Sequence, residues 1–255
     1  MKSTLALCLV LASLPAFSQA PAAPAPSDDG FSPLFNGADL SGWVNVNTWQ
    51  DQAGKVNTWG VSNGVITCTG QPTGFMRSAK MYENFVLELE WRHLKPAGNS
   101  GVFVWAAPEP AAPGNPYAKA VEVQILDTGY TDLVAKQGGK TDWFTGHGDV
   151  FAIHGMKMTP FPPTAPNPAS SMRAFPSENR SKPSPEWNHY RITALNGVVL
   201  LAVNGKEVSG GYNCSVRKGY LAPESEGSPT EFRNIRIKEW PSTGDKAEQT
   251  APSAL

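Results

Sequence analysis

Two polar side chains stand out for where they sit. In AVEVQILD (120–127), Glu122 and Gln124 alternate with Val121, Val123 and Ile125. Alternation of this kind puts residues two apart on one face of a β-strand, so Glu122 and Gln124 share a face. A carboxylate accepts hydrogen bonds, and an amide both donates and accepts; together they suit a hydroxyl-rich molecule. Asp127 ends the same run and points to the opposite face of a regular strand. A bulge or twist at the strand end would bring it into the site, whereas Asp127-Thr128-Gly129 also reads as a plain turn initiator. A second strand, NFVLELEWRHL (84–94), carries Phe85, Leu87, Leu89 and Trp91 on one face and Val86, Glu88, Glu90 and Arg92 on the other. Set beside the first strand, Glu90 and Arg92 extend a polar floor; the alternative is a solvated face whose ion pair contributes little. Between the two strands lies GNSGVFVW (98–105), in which Asn99 offers a polar contact at the rim and Trp105 a flat apolar surface for a ring. His154, in AIHG, is either an acid–base group suited to neutral pH or a strand-end residue with a satisfied hydrogen bond.

Positioning such a floor requires a sheet, and the chain is built for sheets. Asn-Gly pairs at 63–64, 196–197 and 204–205 each separate β-branched or aromatic runs. Asn-Gly tolerates the positive φ angles of a tight type I′ hairpin, so three such pairs predict an antiparallel meander. TEFRNIRIKEW (230–240) reads as the last strand. No window of a dozen residues shows a convincing helical repeat of apolar positions. The expected fold is all-β, an antiparallel β-sandwich or jelly roll. Two Pro-rich segments, 106–119 and 157–187, break the strand rhythm. Loops of that length inside a compact domain usually wall or cover a site.

The ends and the composition narrow the setting. Residues 1–20 have the pattern of a secretory signal peptide: Lys2, an apolar stretch, then Ser18-Gln19-Ala20 with small residues where cleavage after Ala20 needs them. A Pro/Ala linker (21–30), a single β-sandwich domain (31–241) and a disordered tail (242–255) are expected to follow, in a periplasmic or secreted protein. With 21 basic and 22 acidic residues and no block of like charge, neither nucleic acid nor a membrane surface is indicated as a partner. The sequence does not fix the oligomeric state. Outside the leader, Cys68 and Cys214 form either one disulfide or two buried thiols. No residue spacing makes a metal motif and no cofactor is firmly implied; a divalent cation such as Ca²⁺ held by loop carbonyls would leave no trace in the sequence.

The ordered succession PLFNGADLSGW (33–43), WGVSNGVIT (59–67), FVLELEWR (85–92), GNSGVFV (98–104), VEVQILD (121–127), GDVFAIHG (148–155), PEWNHYRI (185–192), VNGKEV (203–208) and SPTEFRNIRIKEW (228–240) resembles the bacterial 3-keto-disaccharide hydrolase domain family. The resemblance implies a concanavalin A-like sandwich and action on glycosides whose sugar carries a ketone at C3. A 3-keto group makes the C2 hydrogen acidic. A base can then remove it, the enolate expels the C1 substituent, and water adds to the unsaturated sugar. That chemistry needs a base, a donor or cation for the enolate oxygen, and an acid at the leaving oxygen. On this reading Glu122 is the base, Arg92 the cation, His154 and Asp127 are further catalytic candidates, and Glu90, Asn99, Trp105 and Gln124 bind substrate. The family pattern has Arg where this chain has Trp105. Two other functions fit the same architecture: a non-catalytic carbohydrate-binding module, and an endoglucanase-like hydrolase using two carboxylates.

Overall fold

The computed structural model describes residues 29–47, 57–146, 148–161, 172–244 and 246–254. Residues 1–20, expected to form a signal peptide, and most of the expected Pro/Ala linker lie outside the described residues. The strands are β1 (Ser32–Pro33), β2 (Trp43–Asn47), β3 (Trp59–Ser62), β4 (Val65–Cys68), β5 (Gly74–Ser78), β6 (Asn84–His93), β7 (Asn99–Ala106), β8 (Ala120–Leu126), β9 (Val150–Ile153), β10 (Thr159–Phe161), β11 (Arg173–Ala174), β12 (Asn188–Leu195), β13 (Val198–Val203), β14 (Lys206–Tyr212), β15 (Tyr220–Ser225) and β16 (Thr230–Trp240). One short helix, α1 (Tyr130–Lys136), follows β8. The three Asn-Gly pairs form tight hairpin turns as expected: Asn63, Asn196 and Asn204 have φ of 51°, 52° and 47°, and the glycines after them are also positive.

The strands form two antiparallel sheets. Among the described residues the first runs β10-β14-β13-β12-β6-β16-β4-β3, with β1 also on β16, and the second runs β11-β9-β8-β7-β15-β5-β2. The core lies between them. Phe85, Leu87, Leu89, Trp91, Tyr190, Ile192 and Phe232 of the first sheet meet Val102, Val104, Val121, Val123, Ile125 and Leu221 of the second. The Trp91 and Tyr190 rings meet edge to face at 5.3 Å, and burying a ring of this size contributes roughly 2–3 kcal/mol. The chain is therefore the all-β antiparallel sandwich that the turn spacing predicted.

Two expectations need correction here. First, β6 and β8 are not neighbours. β6 pairs with β12 and β16 in the first sheet, and β8 pairs with β7 and β9 in the second. Alternation shows which residues share a face, not which sheet the strand joins. Second, the C-terminal residues expected to form a disordered tail are packed. Ala251 is buried and its N–H donates to the Lys218 carbonyl, Arg217 N–H donates to Gln249, and Ala254 N–H donates to the Tyr220 hydroxyl. Small side chains let this segment lie close against β15. Of the two readings open for the cysteines, the structure has the second: Cys68 and Cys214 are free, buried thiols.

Both Pro-rich segments build structure at the sheets: the first extends the second sheet, and the second adds β10 to the first sheet beside β14 before reaching the second. Residues 106–119 form a hairpin extension of β7 and β8, closed where Ala107 N–H donates to Lys119 and Ala111 N–H to Tyr117. The segment 157–187 returns as β11 at the sheet edge beside β9; its stretch 162–171 lies outside the described residues.

Candidate active site

The face of the second sheet turned away from the core is where polar groups collect. On β8 the core side carries Val121, Val123 and Ile125, and the other side carries Glu122 and Gln124, as alternation required. The register sets Phe103 opposite Glu122 and Gly101 opposite Gln124. On the far side of β7, β15 pairs Pro223 with Val102, which puts Glu224 beside Gly101. Glu226 lies two residues further on. The result is three carboxylates, Glu122 of β8, Glu224 of β15 and Glu226 just past the end of β15, each with an oxygen within 4.8 Å of the others.

Gly101 makes this approach possible. A Cβ at this position would run into Glu224 Oε2 and lie 3.1 Å from Glu122 Oε1. Gly101→Ala is expected to displace the Glu224 carboxylate and destabilise the fold by about 1–3 kcal/mol, as overpacking does. Equilibrium unfolding would measure this, and a variant as stable and active as the parent would contradict the crowding.

Burial and mutual repulsion dominate the electrostatics of the cluster. Burial, then the charge of Glu226, pushes Glu122 well above the ordinary carboxylate range; Arg173 opposes the shift. Burial and then Glu122 raise Glu224 in the same way. Burial raises Glu226 to about 7, against the Tyr117 hydroxyl, which donates to Glu226 Oε1 at 2.7 Å. The nearby cation, Arg173, comes from β11. Its Nη1 pairs with Asp149 at 2.8 Å, both side chains being almost fully buried, and its guanidinium lies 3.5 Å from the Phe151 ring centre and 5.2 Å from that of Trp143. Trp143 is 49% exposed and is fixed by donating from Nε1 to the Lys140 carbonyl and by edge contact with Phe144.

The structure separates the sequence candidates. Glu122 and Gln124 lie in the site, with Gln124 Nε2 donating to Asn99 Oδ1 at 2.8 Å, which ties in Asn99. His154 touches it only at the rim: its ring stacks on Tyr117 at 6.0 Å and meets Asn115. Its backbone has φ 49°, a strand-end turn, and burial lowers its pKa. Asp127 points away from the cluster. Burial would raise its pKa, but N–H donors from Ala97, Ser184 and Gly129 outweigh this and hold it low. It fastens loops and is not in the cluster.

Glu90 and Arg92 are on the outer face of the first sheet. Glu90 pairs with Arg233 and Arg92 with Glu231, and the Trp187 ring lies between the two guanidinium groups. They form a surface ion-pair network remote from the cluster. Trp105 is fully buried. Two residues of β7 there oppose one of β15, a bulge at which Trp105 takes φ 53° and turns its ring into the core against Phe85.

Glu224, Glu226, Arg173 and Tyr117 were not among the sequence candidates. Glu224 and Glu226, two apart at the end of a strand, show the same spacing as Glu122 and Gln124. The three carboxylates also have the spacing to admit a hard cation through oxygen atoms alone, a grouping that no run of sequence displays.

Comparison with known proteins then settles the family. Residues 30–238 match the 3-keto-alpha-glucoside-1,2-lyase-like domain. The chain belongs to this family. Among solved structures, it is similar to a candidate glycosyl hydrolase from Parabacteroides distasonis ATCC 8503, with 25% identity over 84% of this chain and 95% of that one and a TM-score of 0.60. A second candidate glycosyl hydrolase from the same organism is 20% identical over 82% and 99% of the two chains, with a TM-score of 0.52. Carbohydrate-binding module CBM66 from Bacillus subtilis is 10% identical over 78% and 97%, again with a TM-score of 0.52; the last two show the fold alone. No curated protein matches the chain. For a member of the 3-keto-alpha-glucoside-1,2-lyase-like family the match covers both sheets, and with them the strands that carry Glu122, Glu224 and Arg173.

Proposed function

We propose that this protein is an exported enzyme that cleaves 3-keto-glycosides, including 3-keto-disaccharides, by C2 proton abstraction, elimination and hydration. The observation that carries this reading is the gathering of three carboxylates and one arginine on one sheet face. The elimination half agrees with the 1,2-lyase in the family's description. The signal-peptide pattern of residues 1–20 supports export.

In the proposed sequence, a Glu122 oxygen takes the C2 proton and the C–H electron pair forms the enolate C2=C3–O⁻. The positive charge of Arg173 offsets the charge developing on that oxygen. The enolate then collapses: C3=O re-forms, a C1=C2 double bond forms, and the C1–O bond breaks. Glu226, which holds a proton up to about pH 7, gives it to the departing oxygen. Water then adds at C1 as Glu226 takes its proton back, and the proton on Glu122 returns to C2. Gln124 and Asn99 bind sugar hydroxyls. The stacking surface first assigned to Trp105 falls instead to Trp143, whose exposed ring borders Arg173.

A second reading draws on the same spacing. Carboxylates this close approach the about 5–5.5 Å separation of retaining glycosidases, so direct hydrolysis of an unoxidised glycoside is the competing function. Incubation of the purified protein with a 3-keto-disaccharide and with its unoxidised parent distinguishes them. Cleavage of the keto sugar alone, through an unsaturated intermediate, is the expected result. Cleavage of the parent alone would favour the glycosidase, and cleavage of neither would leave a carbohydrate-binding module.

A further inference from the structure

Glu224 is a carboxylate without donors. It exposes 1% of its surface, and neither of its oxygens meets a hydrogen-bond donor among the described residues. It turns into the cluster: Glu122 and Glu226 each bring an oxygen within 4.8 Å of its own. Gly101 leaves space open beside them, since a Cβ there would run into Glu224 Oε2 and lie 3.1 Å from Glu122 Oε1. The donors and the cation nearby are engaged with other groups. The Tyr117 hydroxyl donates to Glu226, the Thr145 N–H donates to Asp149, and Arg173 pairs with Asp149. A buried carboxylate is strongly disfavoured unless a donor or a cation reaches its oxygens. Three carboxylates that converge in this way, one of them with both oxygens unpartnered, suit an oxygen-seeking cation. Glu226 is less buried than the other two, so the cluster opens to solvent on its side, where an ion would enter and keep a water ligand.

We propose that Glu122, Glu224 and Glu226 form a binding site for one divalent cation of the calcium class. Carboxylate oxygens alone favour a hard ion over zinc or copper, which take nitrogen or sulfur ligands. Each carboxylate can give one or both oxygens, at angles set by the sheet and not by an octahedron, a geometry that Ca²⁺ accepts more readily than Mg²⁺. The site stands independently of the reaction proposed above. Its effect on turnover rests on that reading: Glu122 has to take the C2 proton and Glu226 to give one to the leaving oxygen, and neither does so while its oxygens bind a cation. The loaded protein is therefore the inactive form, and the cation-free protein the one that turns over.

Calorimetric titration of the purified protein, stripped of cations with a chelator, tests the site with Ca²⁺ alone. One ion per chain should bind, and by mass action Ca²⁺ should raise the unfolding midpoint. Glu224→Gln keeps the volume but loses the charge, and should weaken Ca²⁺ binding at least about tenfold. Glu226→Gln, at the less buried edge, provides the same measurement where the first variant fails to fold. Glu90→Gln, on the other sheet, should bind as the wild type does. Absence of binding by the wild type, or equal affinity in the wild type and both cluster variants, would overturn the proposal. Tighter binding of Mg²⁺ than of Ca²⁺ would overturn the ion class. Turnover then tests the consequence. With a 3-keto-disaccharide, Ca²⁺ at about a hundred times its Kd should lower kcat/KM about a hundredfold, and the chelator should restore it. If chelation abolishes turnover instead, the ion site stands and the roles given to Glu122 and Glu226 fall. A protein that binds Ca²⁺ but is inert toward 3-keto-glycosides with and without the chelator keeps the site and loses the proposed function.

Discussion

Glu122→Gln is expected to lower kcat/KM toward a 3-keto-glycoside by about 10²–10⁴-fold, the range for loss of a general base, while the melting temperature stays unchanged or rises. The two effects have one cause. Glu122 is buried beside Glu226 and Asp149, both of which oppose its ionisation. Removing its charge relieves that repulsion, and the amide fills nearly the same volume. Active sites that gather like charges sacrifice stability for function, so a neutral isostere can stabilise the fold. The Glu226→Gln variant should behave differently. Exchange of the C2 hydrogen with solvent should persist, because the base remains, while release of the leaving group slows. The pH dependence follows from the direction of the shift. Glu226 must be protonated to act as the acid; burial raises its pKa to about 7, so wild-type activity should fall as pH rises through about 7. Glu226→Gln should lose that limb. Near-normal turnover by Glu122→Gln, or loss of C2 exchange in Glu226→Gln rather than in Glu122→Gln, would show that the roles are misassigned.

What the sequence revealed here follows from the range over which its signals act. Turns and alternation are local, and they located the Asn-Gly hairpins, β16 and the shared face of Glu122 and Gln124. Pairing between distant strands is not local. Nothing in APES (222–225) announces that β15 lies beside β7, and so the joining of Glu224 to Glu122 across Gly101 appears only in the folded chain. The same limit explains the misplaced Glu90 and Arg92: their strand has the correct polar face but belongs to the other sheet. Trp105 failed for a different reason, since a bulge changes the alternation by one residue and turns a presumed rim aromatic into core. Asp127 shows that a polar residue at a strand end serves first to satisfy loop N–H groups. The Pro-rich segments were recognised as walls by their length, but not for Tyr117 and Arg173, the side chains they bring to the site.

The second large effect lies behind the cluster. His93, on β6 of the first sheet, is 1% exposed. Its Nε2 lies 3.1 Å from the Ile125 carbonyl of β8, and its Nδ1 lies 3.1 Å from the Thr230 hydroxyl. A carbonyl only accepts, so Nε2 carries the hydrogen of the neutral ring and donates it across the two sheets. This bond fixes the end of the strand that presents Glu122 and Gln124. Burial lowers the pKa of His93 from 6.5 to about 4, although the Ile125 carbonyl and Asp127 favour its charged form. Between these values the unfolded chain binds a proton that the native chain does not, so stability rises with pH across that window. The contribution is fully present above about pH 6.5 and is lost as the solution is acidified toward 4, in total about 3 kcal/mol. His93→Gln keeps an N–H donor for Ile125 but has no proton to bind. It should be less stable than the wild type at pH 7, with the gap closing as pH falls to about 4. Unfolding free energies of both proteins measured across that range cancel the titration of the carboxylates they share. A gap that stays constant with pH would mean that His93 is not held neutral, and that the two sheets are not tied at β8 by a neutral imidazole.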